Sequence, residues 1–434
     1  MNNSVPVVVI APGYHSHGIA RSLGRLSVPV FGVHADRRSP AARSRYWREN
    51  FIWDITKATP EKSVDWLLGL SRKIGSRPIL IPTDDHSCIF VADNAVALKE
   101  GFLFPNQPAG LARSLSSKQK MYYLCKEFSI PTPETVFPRC RDDVIEFLDD
   151  ATFPVMLKGI DTVALFKKTG RRMIVVEDGE SLLKQYDEME TPEAPNLMLQ
   201  EYIPGGSEMV WMLDGYFDEE SNCLFGITGK KIRQYPAYSG VTSLGVCVAN
   251  EVVERQTRDF MKAIGYRGIF DLGYKYDVKT DQYKLLDVNP RIGTTFRLFV
   301  DTNGMDVARA LYLDLTGQTF VAGVSREGRK WVVENFDLVS SPTYFRNEKL
   351  GLRGWLRSYK GVEEASWFAH DDLSPFVMMG WSSLVWAFEL LCKRVRNVCL
   401  SWLKIRQRNS LRGIALAEPG IPYDEEASTT ITHR

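Results

Sequence analysis

The sequence predicts an α/β chain that opens with a parallel sheet and continues into α+β structure. A β-branched run at 6–10 is followed by a helical pattern through Ile19, Leu23 and Leu26, and then by a second apolar run at 28–33. Strand, helix and strand at this spacing are typical of a parallel sheet of Rossmann type. At 434 residues the chain is too long for one compact core, and this length predicts about two to four domains.

Charge and cysteine content exclude several classes of protein. The formal net charge is +1, which argues against general nucleic-acid binding. Seven cysteines are scattered without a C-x-x-C pair, as in proteins that keep reduced thiols rather than a disulfide framework. The first residues lack a basic segment followed by a long apolar run, so no secretory signal is predicted. We therefore expect a cytoplasmic protein.

Acidic residues follow the predicted strand at 78–82. The segment 83–86 reads Thr-Asp-Asp-His, and its acidic side chains lie either where open α/β sheets bind ligands or at the cap of the next helix. For His86 the capping alternative is favoured. A later helix begins after Ser116-Ser117 and stops at 130–133, Ile-Pro-Thr-Pro, which places the first domain boundary in this region.

Two basic stretches suit phosphate groups. A strand at 153–158 ends in Lys158, which would reach a phosphate or else extend along the surface into solvent. Basic residues at 167–172 lie between the apolar runs 163–166 and 173–176, a pattern that predicts a hairpin. Its tip would close over phosphates or remain a solvated turn.

A strand stop at 196–206 predicts an adenine-binding edge. The apolar strand leads into Glu201, Tyr202 and Ile203 and ends at the Pro-Gly-Gly that follows them. The chain is therefore expected to turn away sharply there. Backbone groups left unpaired at such a stop match the hydrogen-bonding edge of adenine.

The strand at 283–289 presents three polar side chains at its end. Period-two alternation puts Asp287, Asn289 and Arg291 on one face. Carboxylate and carboxamide oxygens suit Mg²⁺, and an arginine suits a phosphate or carboxylate. A polar strand end that caps a sheet is the alternative.

The preceding run, 268–277, predicts the partner strand of a hairpin. Its pairing brings Asp271 or Asp277 next to Asp287. A second carboxylate would then share the cation.

These motifs together resemble the ATP-grasp superfamily, in its carboxylate–amine ligase branch. The resemblance covers about residues 5–318 and depends on the ordered set, since each motif alone is common. The set comprises Lys118 after the linker, I-P-T-P at 130–133, F-P-V-M-L-K at 153–158, Q-E-Y-I-P-G-G at 200–206 and L-L-D-V-N-P-R at 285–291. Members have a Rossmann-like amino-terminal domain, then a lid and a larger α+β lobe that hold ATP between two antiparallel sheets.

The resemblance implies a domain order for most of the chain. We expect a Rossmann-like domain at 1–115 and an ATP-grasp domain at 116–320, with its lid at about 135–200 and its larger lobe at about 201–320. A carboxy-terminal extension at 321–373, a helical segment at 374–416 and a disordered tail at 417–434 follow.

The resemblance also implies three groups of site residues. Two lysines would contact the ATP phosphates, one glutamate and its backbone neighbours the adenine, and a second glutamate the ribose; these are Lys118, Lys158, Glu201, Tyr202, Ile203 and Glu208. The ligands of Mg²⁺ or Mn²⁺ would be Asp271, Asp287 and Asn289. The catalytic cations that face the phosphates and acyl group would be Lys230, Arg233 and Arg291.

Two positions depart from the superfamily pattern. The strand before the metal strand usually offers a carboxylate at the register of Gly273, whereas here Asp271 lies two residues earlier on the same face. Either Asp271 is the outer ligand or the cation site lacks one. The lid turn is basic rather than glycine-rich, so its phosphate contacts would come from side chains.

The predicted activity is ADP-forming ligation of a small carboxylate to an amine, both amino-acid-like, through an acyl phosphate. Phosphoryl transfer needs positioning and charge neutralisation, and the candidate residues are of those types. No Ser-His-Asp or Cys-His pattern predicts a covalent enzyme intermediate. The alternatives are an ATP-binding, membrane-associated adaptor without turnover and a carbamoyl-phosphate-type phosphorylation of bicarbonate.

The end of the chain suggests a surface-binding segment. Residues 374–388 are almost uncharged, and 393–412 carry basic residues and no acidic ones, interleaved with Trp402 and leucines. The apolar run is shorter than a spanning helix requires, and its composition is compatible with a helix at 375–412 that lies on an anionic membrane surface, at its inner face. A helix packed on the catalytic domain or a homodimer contact are the alternatives.

Overall fold

The first part of the chain folds around a four-stranded parallel sheet. The computed structural model describes residues 2–10, 13, 15–347, 350–389 and 392–393. The strands are β1 (Val7–Ile10), β2 (Val30–His34), β3 (Trp47–Ile52) and β4 (Ile79–Pro82). They are ordered β3-β2-β1-β4, and every neighbouring pair is parallel. The predicted strand–helix–strand unit at the start of the chain is therefore present.

Six helices accompany this sheet and lead out of it. They are α1 (Ser16–Gly24), α2 (Pro60–Ile74), α3 (Asp85–Asp93), α4 (Ala95–Leu98), α5 (Leu111–Ser116) and α6 (Lys118–Glu127). The Asp84 carboxylate accepts a hydrogen bond from the Ser87 amide at 2.7 Å and caps α3. The capping alternative is thus confirmed for Asp84. Asp85, the first residue of the helix, takes no part in this cap.

A small antiparallel sheet follows. Its strands are β5 (Thr135–Val136), β6 (Val155–Gly159), β7 (Met173–Val176) and β8 (Leu197–Glu201), in the order β5-β8-β6-β7. Helices α7 (Arg141–Leu148), α8 (Thr162–Thr169) and α9 (Gly179–Met189) accompany it.

The predicted hairpin at 163–176 is wrong, because its first half is helix α8. The Asp161 carboxylate accepts hydrogen bonds from the amides of Val163 and Ala164, both at 2.9 Å, and so starts the helix. Gly170, at φ +71°, ends it in the left-handed conformation that glycine tolerates. The second half, β7, pairs with β6 instead.

A seven-stranded sheet forms the larger lobe. Its strands are β9 (Val210–Phe217), β10 (Cys223–Tyr235), β11 (Val241–Cys247), β12 (Gly268–Asp277), β13 (Gln282–Asn289), β14 (Lys330–Val332) and β15 (Val362–Ala365). The order is β13-β12-β9-β10-β11-β14-β15, and only the final pair is parallel. Helices α10 (Glu251–Ala263), α11 (Val307–Leu315), α12 (Glu334–Asn347) and α13 (Leu352–Ser358) complete this part.

One apolar core joins the parallel sheet to the seven-stranded sheet. Buried residues of β1 and α1 pack with Phe296, Phe299 and the buried face of helix α11. Burial of such side chains stabilises the fold by about 1.5–3 kcal/mol for each large residue. The two sheets are therefore held together, and the ends of β4 and β13 stay close.

The segment after β15 returns to the first helix of the chain. The Arg21 guanidinium donates to the Asp372 carboxylate at 2.8 Å and to the Ser366 and Trp367 carbonyl oxygens at 2.9 and 2.7 Å. Arg21 and Asp372 are both buried. Residues near the two ends of the compact unit 1–379 are thus joined by buried hydrogen bonds and an ion pair.

Only the beginning of the predicted segment at 374–416 is described. Residues 374–389 and 392–393 are helical, and the rest of that segment and the tail at 417–434 lie outside the described residues. Among the helices that the structure describes, none is long and apolar enough to cross a membrane. The domain boundaries proposed from the sequence remain predictions.

Candidate active site

A cleft of about 430 Å³ lies between the small sheet and the seven-stranded sheet. Side chains from both sheets line it, with a basic group on one side and an acidic group on the other. The apolar wall is formed by Met156, Ile203, Met212, Leu272 and Leu286. This combination suits a molecule with a flat apolar part and a charged part.

The acidic side of the cleft is the hairpin β12–β13. Asp271 faces Asn289 and Gly273 faces Asp287 across the antiparallel pair. The Asn289 side-chain amide donates to one carboxylate oxygen of Asp271 and one of Asp287, at 3.2 Å each. The predicted hairpin is thus present, and it brings together all three of the predicted cation ligands.

Asp271 and Asp287 would hold a Mg²⁺ ion that is completed by ligand oxygens, whereas Asn289 presents its amide nitrogen to these carboxylates and its oxygen to Arg291. Among the described residues, no group of three His, Cys, Asp or Glu side chains could hold a metal by itself. Mg²⁺ usually takes only one or two carboxylates together with phosphate oxygens and water. Burial raises the pKa of Asp271, while Arg291 partly offsets this. A cation that neutralises the buried carboxylate would therefore be favourable here.

Asp214 is an acidic residue at this site that the sequence analysis missed. It lies on β9 directly opposite Asp271 and is fully buried. A side chain at Gly293 would begin 2.8 Å from an Asp214 carboxylate oxygen, so the glycine backbone packs closely over the pair. Burial and the neighbouring Asp271 raise the pKa of Asp214 well above its usual range. Asp214 lies on the same face of β9 as the cleft-lining Met212, two residues earlier, but is covered and does not line the cleft itself.

Two predicted lysines reach the cleft from the opposite side. Lys118 donates to the Gly159 and Ile160 carbonyl oxygens at 2.8 and 3.2 Å. Lys158 donates to the Gln200 side-chain oxygen at 2.8 Å. Burial, with a smaller effect from Lys118, lowers the pKa of Lys158 to about 8. Both ammonium groups therefore face the acidic hairpin across the cleft.

The residues predicted to bind adenine and ribose are divided between the cleft and its border. Ile203 and Glu201 line the cleft, but the Glu201 carboxylate accepts from Lys284 at 2.6 and 2.8 Å. Glu208 accepts from the Gly206 amide at 2.9 Å and so holds the loop after β8. Tyr202 and Glu208 are outside the set of cleft-lining side chains. Their roles remain predictions.

The basic strand β10 presents Lys231, rather than its predicted neighbours, to the cleft. Lys231 lines the cleft and donates to the Gly240 carbonyl at 3.3 Å. Burial lowers the pKa of Lys231, while Asp287 and Asp271 oppose that change. The Lys230 ammonium lies 4.2 Å from the centre of the Trp211 ring. Only the register against β9 and β11, which sequence alone does not give, distinguishes the two lysines.

Arg233 points away from the cleft. Its guanidinium donates twice to the Asp337 carboxylate of α12, at 2.8 Å each, and once to the Ser358 hydroxyl at 2.8 Å. The strand register is irregular on both sides of Arg233, which accounts for its direction. The structure thus does not bring this predicted catalytic residue to the others, and its role stays a prediction.

Arg291 lies at the end of the cleft nearest the parallel sheet. It donates to the Asp85 carboxylate at 3.1 Å, to the Asn289 side-chain oxygen at 3.0 Å and to the Ile292 carbonyl at 3.1 Å. Burial alone would lower its pKa, but Asp85, Asp271 and Asp287 more than reverse this and raise it. A permanent cation therefore faces the predicted metal ligands.

Comparison with known proteins gives sequence relatives, although no family model matches the chain. The chain is 25% identical over 347 residues to D-aspartate ligase of Enterococcus faecium (strain Aus0004), which covers 75% of this chain and 81% of that protein. It is 25% identical over 206 residues to the carbamoyl phosphate synthase large chain, C-terminal section, of Methanopyrus kandleri. That match spans 45% of this chain and about a third (36%) of the relative.

A solved structure decides the fold. N5-carboxyaminoimidazole synthetase from Staphylococcus aureus, complexed with ADP, superposes with a TM-score of 0.59 over 80% of this chain and 87% of that one, at 12% identity. The chain has the ATP-grasp fold. Together with the sequence relatives, this fold confirms the resemblance to ATP-grasp carboxylate–amine ligases that the ordered motifs predict, and the mixed α/β class is confirmed as well. The individual ATP-grasp site residues are not tested by these similarities.

Proposed function

We propose that this ATP-grasp protein is an ATP-dependent, ADP-forming ligase that joins a small carboxylate to an amine. One observation carries the proposal. A single cleft is lined by three lysines, by Arg291 and by two residues of the β12–β13 hairpin, Asp287 and Asn289; the lysines are Lys118, Lys158 and Lys231. The similarity to D-aspartate ligase supports an amino-acid-like substrate.

The chemistry follows from the charges around the cleft. A carboxylate is a poor electrophile, and transfer of the terminal phosphoryl group of ATP to it creates an acyl phosphate that an amine can attack. The amine nitrogen then bonds to the acyl carbon, phosphate leaves with the electron pair of the broken carbon–oxygen bond, and the amine loses a proton. The enzyme needs to position the reactants and neutralise charge rather than form a covalent bond.

Each side of the cleft has a separate task in this proposal. Lys118 and Lys158 hold phosphate oxygens, and Ile203 and Met156 hold the base. Mg²⁺, held by Asp271 and Asp287, and by Asn289 once its side-chain amide is turned over so that the oxygen faces them, would supply neutralisation of the phosphate charge. Lys231 and Arg291 face the acyl phosphate, so we assign to Lys231 the position that the sequence analysis assigned to Lys230.

The experiment is an ADP-release assay with pooled amino acids. Asp287→Asn keeps the side-chain shape but removes a charge from the cation site, so turnover should fall strongly. Asp281→Asn lies at the far turn of the same hairpin, where Asp281 accepts from the Tyr276 hydroxyl, and should leave turnover unchanged. Equal turnover of the wild type and Asp287→Asn would contradict the proposed cation site.

The same assay separates the alternatives. A ligase releases ADP and phosphate only when a carboxylate and an amine are both present. A non-catalytic adaptor binds ATP and releases neither, whereas a carbamoyl-phosphate-type enzyme releases ADP with bicarbonate. Contact of residues 375–412 with an anionic membrane surface stays a prediction. If deletion of the chain after Ser374 leaves partitioning to anionic liposomes unchanged, that prediction fails.

A further inference from the structure

Asp85 is the more exposed of the two carboxylates that form ion pairs with Arg291. Its side chain is 49% exposed, compared with 18% for Asp271, whose carboxylate lies 3.6 Å from the same guanidinium. Arg291 itself is 14% exposed. An ion pair with one half-exposed member contributes little to stability. Of the two acidic partners, Asp85 is therefore the one that an incoming anion displaces at least cost.

The fold does not require Asp85 for its local structure. Asp84 already makes the capping bond of α3, and its own amide lies 3.2 Å from the Ser87 hydroxyl. Asp85 occupies the first turn of α3, where a negative charge stabilises a helix by about 0.3–1 kcal/mol. That modest benefit is available to any acidic residue there, and it does not explain the contact with Arg291, 206 positions away in sequence.

We propose that Asp85 binds the ammonium group of an acyl donor that is itself an amino acid, while Arg291 binds the carboxylate of the same molecule. This inference rests on the proposed function, because it concerns the carboxylate to be phosphorylated. The zwitterion replaces the Asp85–Arg291 pair charge for charge: its carboxylate takes the Arg291 contact, and its ammonium group takes the Asp85 carboxylate that is released.

The surroundings of the pair support this exchange. The Asn289 contact fixes the other side of the Arg291 guanidinium beside the cation ligands. A carboxylate bound in place of Asp85 would thus lie on the outer side of Arg291 from the predicted cation ligands, since Arg291 lines the cleft and Asp85 borders it without lining it. His15, from the loop after β1, lies near Arg291 and Asp84, and burial and then Arg291 lower its pKa to about 4. It is therefore neutral at pH 7 and does not compete as a second cation.

Asp85 acts in this proposal as a specificity-determining residue without a part in the bond changes. A carboxylic acid that lacks the amine would still contact Arg291 but would leave Asp85 without its cation. We therefore expect the wild type to prefer an amino acid to the matching acid without the amine. Loss of one charged hydrogen bond corresponds to a factor of about 10–100 in affinity.

The test measures binding first and turnover second. An amino acid and its des-amino analogue, for example alanine and propionate or aspartate and succinate, are titrated calorimetrically into the protein saturated with Mg²⁺ and a non-hydrolysable ATP analogue. Asp85→Asn should weaken amino-acid binding about 10–100-fold and leave des-amino binding within a few-fold. Asp93→Asn is the matched control, since Asp93 ends the same helix and pairs with Arg113; it should bind like the wild type.

Turnover is measured with hydroxylamine as the amine, so that the acyl donor is the only variable. Asp85→Asn should raise the KM for the amino acid and leave the KM for ATP unchanged. An Asp85→Asn protein that keeps the full preference for the amino acid overturns this inference, as does wild-type protein that binds both ligands equally. Wild-type protein that shows the binding preference but releases no ADP contradicts the proposed ligase function instead.

Discussion

The ion pair between Arg233 and Asp337 allows a direct test of whether Arg233 is a structural or a catalytic residue. Arg233 and Asp337 are 3% and 0% exposed, and Asp337 also accepts from the Ser243 hydroxyl at 3.0 Å. Arg233→Met removes the only cation with which Asp337 pairs in the described residues. Loss of one member of a buried pair leaves an uncompensated charge, and we expect the free energy of unfolding to fall by about 3–5 kcal/mol.

The assay is equilibrium unfolding in urea, followed by ADP release under conditions where each variant is folded. Adding Asp337→Asn to Arg233→Met removes the stranded charge and keeps an acceptor for Ser243, so part of the stability should return. Lys231→Met should keep the stability of the wild type and lose turnover. If Arg233→Met unfolds like the wild type but is inactive, the structural argument is refuted and the role predicted from sequence is correct.

Two further predictions concern the charges of the cleft. Since the pKa of Lys158 is about 8, its charge is present below that pH and lost above it. Affinity for ATP should therefore weaken as pH rises from 7 to 9, and in Lys158→Met the affinity should be lower and lack this step; a step that persists in the variant would contradict the assignment. In Gly273→Ala, the new Cβ would lie 2.5 Å from an Asp287 carboxylate oxygen. Displacement of that oxygen should weaken Mn²⁺ binding about 10-fold or more, as read by electron paramagnetic resonance, and unchanged Mn²⁺ affinity would contradict this expected displacement.

Sequence periodicity predicted the acidic side of the cleft well. Asp287 and Asn289 alternate on one strand, and a short polar turn joins that strand to the one that carries Asp271. Such information is local, because the two strands are consecutive and only the short turn at 278–281 separates them. The pairing of Asp271 with Asn289 follows from it directly.

Features that depend on distant pairing were harder to predict. Lys230 and Lys231 are adjacent and chemically equal, so only the registers of β9 and β11 decide which lysine faces the cleft. Asp214 becomes part of the site only because β9 lies beside β12. The helix at Thr162–Thr169 was mistaken for a strand because its apolar residues are consecutive, and the capping by Asp161 went unrecognised.

The contact between Arg21 and the segment at 366–372 has a consequence for the synthesis of the protein. The parallel sheet is encoded first, yet the partners of a buried arginine in its first helix are more than 340 positions away in sequence. Contacts of such long range close slowly and leave partly folded chains exposed to aggregation. A ribosome-bound chain that stops before residue 372 should thus retain an amino-terminal region that is open to proteolysis near Arg21, and release of the full chain should protect it.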